Sequence, residues 1–209
     1  MKIKEAEEIT GGLSKPSKMP ERAYNISAFD CNVGSKLAQI KDTVCSGCYA
    51  RKGRYRFPKV QKALKRRSES LTHRLWVRAM VTLIAKQSPN YFRWHDSGDL
   101  QSSAHLLRIC SVAIRTPDTQ HWLPTKEIGL VKQYLVRFKE FPSNLCVRVS
   151  APFIDCFPKL PQGVLGSMVY SKDLDPILAF KCPAYTQGGK CGDCRACWGS
   201  NPVVAYPKH

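Results

Sequence analysis

The sequence predicts an α/β protein, built as a partial (βα) barrel or an open parallel sheet, with cysteine-rich metal-binding segments at both ends. Three observations carry this. Strand-like runs alternate with helical runs through the middle of the chain, which is the grammar of βαβ units. Seven of the ten cysteines fall in two groups on either side of that region. A chain of 209 residues, 43% of them hydrophobic, is long enough to bury one good core.

Residues 1–24 are polar, carry Gly11-Gly12, Pro16 and Pro20 and show no periodicity; they read as an extended arm. Residues 25–181 read as the α/β domain with the first cysteine group and a basic helix, and 182–209 as a C-terminal cluster-binding segment. The first group opens with Asn25-Ile-Ser-Ala-Phe-Asp-Cys31 and continues as Val44-Cys45-Ser-Gly-Cys48-Tyr49-Ala50. Its spacing is C-x13-C-x2-C, with Gly47 allowing a tight turn. Three thiolates cannot fully ligate a cubane, so either a fourth ligand arrives from elsewhere or one iron stays open to a substrate or cofactor. Alternatively, Cys45 and Cys48 complete a zinc site with partners from the C-terminal group.

After Cys48 the chain becomes strongly basic. Pro58 suits a first helical position, and Val60, Leu64, Leu71, Leu75, Ala79 and Leu83 recur at three- to four-residue steps with a slip near Ser68 to Ser70. That is two consecutive amphipathic helices, or one broken helix. The pairs Lys62–Arg66 and Arg74–Arg78 place like charges four residues apart, which repel. An anionic partner accounts for this economically. Arg51, Lys52, Arg54, Arg56, Lys59, Lys62, Arg66, Arg67 and Arg74 are the candidate contacts to nucleic acid or another polyanion, with Tyr49, Tyr55 and Phe57 available to stack on bases. The net charge of +17 points the same way. The plainer alternative is a cationic face that only aids solubility.

Tyr91 to His95 reads as a strand ending in Asp96-Ser97-Gly98-Asp99, and a helix capped at Ser102 or Ser103 runs on to Pro117. His121 to Thr125 is the next strand, followed by a helix using Leu130, Val131, Tyr134, Leu135 and Phe138. Leu145 to Ser150 and Val164 to Tyr170 are two more strands. In parallel sheets function collects at the carboxyl ends of strands. Asp96, Ser97, Gly98, Asp99, Thr125, Lys126 and Ser150 are therefore the substrate or cofactor candidates. His95 reads as a hydrogen-bonding strand-end residue, Cys110 and Cys146 as core thiols.

The densest signal is Cys182-Pro-Ala-Tyr-Thr-Gln-Gly-Gly-Lys-Cys191-Gly-Asp-Cys194-Arg-Ala-Cys197-Trp198. C-x2-C-x2-C is the core spacing of ferredoxin-type iron–sulfur ligation, and here Cys182-Pro183 precedes the triplet. A zinc site more often uses two C-x2-4-C hairpins held apart. The metal-ligand candidates are Cys31, Cys45, Cys48, Cys182, Cys191, Cys194 and Cys197. The expected cofactor is an iron–sulfur cluster, [4Fe-4S], one or two of them, with zinc as the alternative. The charged N-terminus has no secretory h-region and no apolar run spans a bilayer. The expectation is a protein of a reducing cytosol, where clustered cysteines mean metal.

Four landmarks together resemble the phage "gene product eighty-eight" family: Asn25 to Cys31; Cys45-x2-Cys48-Tyr49-Ala50; the His95-to-Asp99 strand end with Thr125-Lys126; and Cys191-x2-Cys194-x2-Cys197-Trp198. The resemblance implies a phage-encoded protein in the cytoplasm of the infected host cell, and brings no reaction with it. A looser likeness is to the first part of a radical S-adenosylmethionine barrel, which implies S-adenosylmethionine as a further cofactor. Here, however, the trio is C-x13-C-x2-C and the turn is Ser97-Gly98-Asp99. Two functions follow as expectations. One is an iron–sulfur enzyme, radical or redox, with an open iron. The other is a nucleic-acid-binding protein without catalysis, held by cluster or zinc. A host protein is a further candidate partner.

Overall fold

In a computed structural model, which describes residues 1–208, seven strands form one sheet in the order β1-β2-β3-β4-β5-β7-β6. The strands are β1 Arg22–Tyr24, β2 Tyr91–Trp94, β3 Gln120–Thr125, β4 Leu145–Ser150, β5 Leu165–Tyr170, β6 Phe180–Lys181 and β7 Val203–Pro207. Every pairing is parallel. The sheet is open, which decides between the two architectures the sequence allows. The helices are α1 Ile3–Thr10, α2 Asn32–Leu37, α3 Pro58–Ser70, α4 Trp76–Gln87, α5 Ser103–Ile114 and α6 Ile128–Phe138. Among the described residues no helix is long and apolar enough to cross a membrane.

Period-two alternation on the strands and period-3.6 stripes on the helices meet on one face of the sheet. Trp76, Met80 and Ile84 of α4, Leu106, Ile109 and Ala113 of α5, and Val131 of α6 pack with Phe92, Trp94, Leu123, Val147 and Val149. The basic region is two helices, α3 and α4, broken after Ser70.

Residues 1–24 are not an extended arm. Gly11 in the left-handed conformation closes α1 with its N–H on Glu7 O, and Ala6 packs against Ala79 and Leu83. Tyr24 then donates to Thr10 O at 2.7 Å and receives Trp76 Nε1 at 3.2 Å. Eight residues cannot hold a helix alone in water; docking on α4 holds it, and local sequence carries no trace of that.

The C-terminal segment is part of the sheet. Strand β7 enters the sheet between β5 and β6, so Cys182 to Cys197 lies in the β6–β7 crossover where a helix ordinarily sits. Cys31, Cys45 and Cys48 lie in the β1–β2 crossover. Both thiol groups are therefore loops whose ends are held by adjacent parallel strands.

Candidate metal centres

The first group sits over the carboxyl edge of the sheet. Cys31 precedes α2, and Gly34 within that helix turns its bare α-carbon toward the thiols. A methyl group there would lie 3.5 Å from Cys31 Sγ and 3.7 Å from Cys45 Sγ. Cys48 is within electrostatic reach of both. Backbone bonds fix the loop: Val44 N–H donates to Pro152 O at 2.9 Å, just beyond β4. Glu127, just beyond β3, receives Val33 N–H of α2 at 2.8 Å.

Of the predicted strand-end residues, Asp99, Thr125 and Lys126 converge beneath these thiols. Asp99 Oδ1 accepts from Thr125 Oγ1 at 2.6 Å and from Leu100 N–H at 2.7 Å, and its Oδ2 accepts from Lys126 N–H at 2.8 Å. Lys126 Nζ donates to Ala151 O at 2.9 Å. Ser97 Oγ donates to Ile26 O at 2.9 Å. Gly98, at φ 83°, passes so close that a Cβ would stand 2.8 Å from Ile26 O and 2.3 Å from Ile26 Cγ1; only glycine fits. Asp96 accepts from Tyr55 at 3.1 Å through Oδ2, while Tyr49 donates to the Asp96 carbonyl. Ser150 bonds Ser167 at 2.9 Å, and among the described residues no side-chain hydrogen bond joins it to this cluster.

Burial dominates the electrostatics. It pushes the Cys31 thiol up to about 12, with Asp99 next in size, and raises Cys45 against the pull of Lys126. Asp99 is raised to about 6 by burial, opposed by its three donors. Burial lowers Lys126, with Cys45 and Asp99 acting the other way. A cation among thiols is the surrounding in which thiolates are held once a metal replaces the protons.

The second group covers the face of the sheet opposite the helices. Cys182 N–H donates to Ala205 O at 2.8 Å and Cys191 N–H to Lys18 O at 2.8 Å. Trp198 Nε1 donates to Phe92 O at 3.0 Å and its ring meets Trp122 at 5.3 Å. Tyr206 OH lies 3.2 Å from Cys197 Sγ. Burial pushes Cys197 up to about 11.

Arg148, wholly buried in β4, holds this loop. Its Nε donates to Cys197 O at 3.0 Å, Nη1 to Gly166 O and Asn201 O, and Nη2 to Ala196 O and Gly199 O. All five guanidinium hydrogens are used, on carbonyls alone. Arg93 of β2 lies over the Trp122 ring at 4.3 Å, touches Met19 Sδ at 3.8 Å, and leaves its buried Nε without a partner. Among the described residues neither arginine makes a salt bridge. Sequence reasoning missed both, because an arginine inside a strand signals its partners only once the sheet is assembled.

Among the described residues no three His, Cys, Asp or Glu side chains stand close enough to grip one metal ion. Sulfurs around a single zinc stand about 3.8 Å apart, from Zn–S bonds of about 2.3 Å; a cubane spreads its thiolates over several irons. The donor set is soft sulfur backed by buried cations, which suits an anionic metal–thiolate group.

The basic candidates separate into two kinds. Lys52, Arg54, Arg56, Lys59, Lys62 and Arg74 are exposed. Arg67 is buried, its Nε on Gly12 O at 2.8 Å, and Arg66 reaches Gly11 O at 3.0 Å. Arg67 therefore holds the α1–α3 junction and is withdrawn from any phosphate. Arg51 bonds Ser35 Oγ at 2.9 Å and lies over the Phe29 ring, which places it at the first thiol group.

A family model described as Gene product 88 matches residues 6–200. No curated protein and no solved structure matches the chain, so the likeness to radical S-adenosylmethionine enzymes gains no support there.

Proposed function

The chain belongs to the gene product 88 family, and we propose that it is an iron–sulfur protein with two centres of different kinds. Cys182, Cys191, Cys194 and Cys197 hold a fully ligated cluster. Cys31, Cys45 and Cys48 hold a second whose fourth iron position is open. The observation that carries this is the convergence of the first three thiols with Asp99, Thr125 and Lys126 over the carboxyl edge of a parallel sheet, where such sheets keep their chemistry. When bound, a cluster with an open iron supplies one-electron redox chemistry and a coordination site. The chain's own residues then have separate tasks. Asp99 locks the ends of β2 and β3, Lys126 offsets thiolate charge, and the Ser97-Gly98-Asp99 turn approaches Ile26 closely enough to close the floor.

Anaerobic reconstitution with iron and sulfide tests the reading. About eight irons per chain, falling to about four in the Cys31→Ser/Cys45→Ser variant and to about four in Cys191→Ser/Cys194→Ser, is the expected pattern for two cubanes. Zinc in their place, or iron unaffected by either pair, rejects it. S-adenosylmethionine added to the loaded chain, with the EPR spectrum of the first centre as readout, is the first small ligand to try at the open iron.

A second reading, contact with nucleic acid, is favoured by the outward face of α3. Lys59, Lys62 and Lys65 are exposed there beside Arg54 and Arg56, and Lys65–Glu69, at 3.9 Å, is the one ion pair of that helix among the described residues. The two readings are compatible.

A further inference from the structure

Beside its thiols, the β1–β2 crossover leaves aromatic rings in solvent among unopposed cations. Residues 43–68 contain nine Lys and Arg and no Asp or Glu. Phe29, Tyr49 and Phe57 are 49%, 50% and 59% exposed, although rings of this size ordinarily supply core area. The first two lie on the 3₁₀ turns Ala28–Asp30 and Tyr49–Arg51. A third turn, Gly53–Arg56, leads through Phe57 into α3, and each of these elements touches the next. The rings are held in place. Tyr49 donates its hydroxyl to the Asp96 carbonyl and meets Tyr55 edge-on at 5.8 Å, while Tyr55 bonds Asp96 Oδ2 at 3.1 Å. Arg51 lies 5.1 Å over the Phe29 ring and bonds Ser35 Oγ at 2.9 Å. The carbonyl of Phe57 accepts the first N–H groups of α3, from Val60 and Gln61. Ser68 Oγ donates to Asp30 Oδ2 at 3.0 Å, which ties the first turn to the far end of α3 and occupies its carboxylate.

Resting on the nucleic-acid reading above, we propose that this surface binds single-stranded nucleic acid. Bases stack on Phe29, Tyr49 and Phe57, and phosphates lie along Arg54, Arg56, Lys59 and Lys62. A duplex keeps its bases stacked on one another and offers a protein its phosphates and groove edges, so exposed rings gain little from it. An unpaired strand presents the faces of its bases, and every base has one. Rings whose backbone and hydroxyls are already fixed lose little freedom on binding. A second copy of this chain is a poor occupant, because the same cations would face one another.

The test is fluorescence anisotropy of the full chain with labelled oligo-dT, oligo-U and a mixed-sequence duplex of equal length. At equal salt at least one single strand is expected to bind more tightly than the duplex, and the dT and U arms tell DNA from RNA. Phe29→Ala and Phe57→Ala are each expected to weaken that binding by about 5- to 100-fold. The salt slope should stay as in the parent, since no charge is removed. Phe57→Trp should keep the affinity, with its indole quenched on binding; Trp76, Trp94, Trp122 and Trp198 are all buried, so the quenching reports the new ring. A duplex bound as tightly as either strand, or no loss with alanine at both positions, overturns the stacking surface and leaves the nucleic-acid reading standing. Absent or salt-independent binding of all three probes removes that reading and this inference with it.

Discussion

Thr125 Oγ1 donates to Asp99 Oδ1 at 2.6 Å, tying the end of β3 to the loop after β2 directly under the first thiol group. Removing that hydroxyl leaves a buried carboxylate with two donors in place of three. Thr125→Val is expected to cost about 1–3 kcal/mol, seen as a lower urea midpoint with an unchanged slope. An unaltered midpoint would mean the bond contributes nothing net.

Gly34 offers a substitution in which stability and metal should part company. Alanine favours a helix over glycine by roughly 0.5–1 kcal/mol. The new methyl would sit in ordinary contact with Cys31 Sγ and Cys45 Sγ, but only 3.0 Å from Cys31 Cβ. Gly34→Ala is expected to leave the metal-free fold within about 1 kcal/mol of the parent while reducing iron in the first centre by at least half. Full loading of that variant would show that the space between the two sulfurs is not where the cluster lies.

Arg148 should be the most sensitive position on the helix-free face. Its loss removes the arginine donors from the buried Gly166 carbonyl and from the part-buried carbonyls of Ala196, Cys197, Gly199 and Asn201. Arg148→Met is expected to cost at least about 1–3 kcal/mol, the penalty for a buried carbonyl left without its donor. Arg148→Lys should recover only part of this, since an ammonium has three donors where five are used. Thermal unfolding of both variants, with thiol accessibility of Cys197 as a local probe, checks it.

Acid should destabilise the fold through its buried histidines. Burial lowers His105 and His121 to about 3 and His95 well below its ordinary value. The unfolded chain takes up these protons near pH 6.5 and the folded chain does not, so stability falls as pH drops below 6.5, by about 1.4 kcal/mol per pH unit for each histidine. Asp99, raised to about 6, works the other way between 6 and its unfolded value. Asp96 is raised as well, chiefly by burial, and acts in the same sense as Asp99. His121→Asn should flatten the slope of stability against pH between 6 and 4 by about one proton; an identical slope in parent and variant would contradict a neutral His121.

For the cationic face, the contributors to nucleic-acid binding should be Arg54, Lys59 and Lys62. Replacing all three by glutamine is expected to lessen the slope of log affinity against log salt by roughly 2–3, at about 0.9 per neutralised phosphate on duplex DNA. Arg67→Gln should leave that slope alone and lower stability instead. A parent chain with no salt-dependent binding removes the nucleic-acid reading.

What local order could disclose was element type and chemistry. The alternation from Tyr91 to Tyr170 announces its strands and helices because side-chain periodicity is set by backbone geometry alone, and the spacing of Cys191, Cys194 and Cys197 makes a metal the expectation because thiol spacing is itself the signal. Asp99, Thr125 and Lys126 were legible as strand ends for the same reason. Long-range packing decided the rest. Whether residues 1–24 fold depends on Ala6 meeting Ala79 and Leu83, and whether the last strand extends the sheet depends on a gap between β5 and β6 that sequence neighbours do not report. Arg93 and Arg148 look like ordinary strand arginines until the crossover loop closes over them; only then does burial turn a solvated charge into a fixed one that must find carbonyls or an anion.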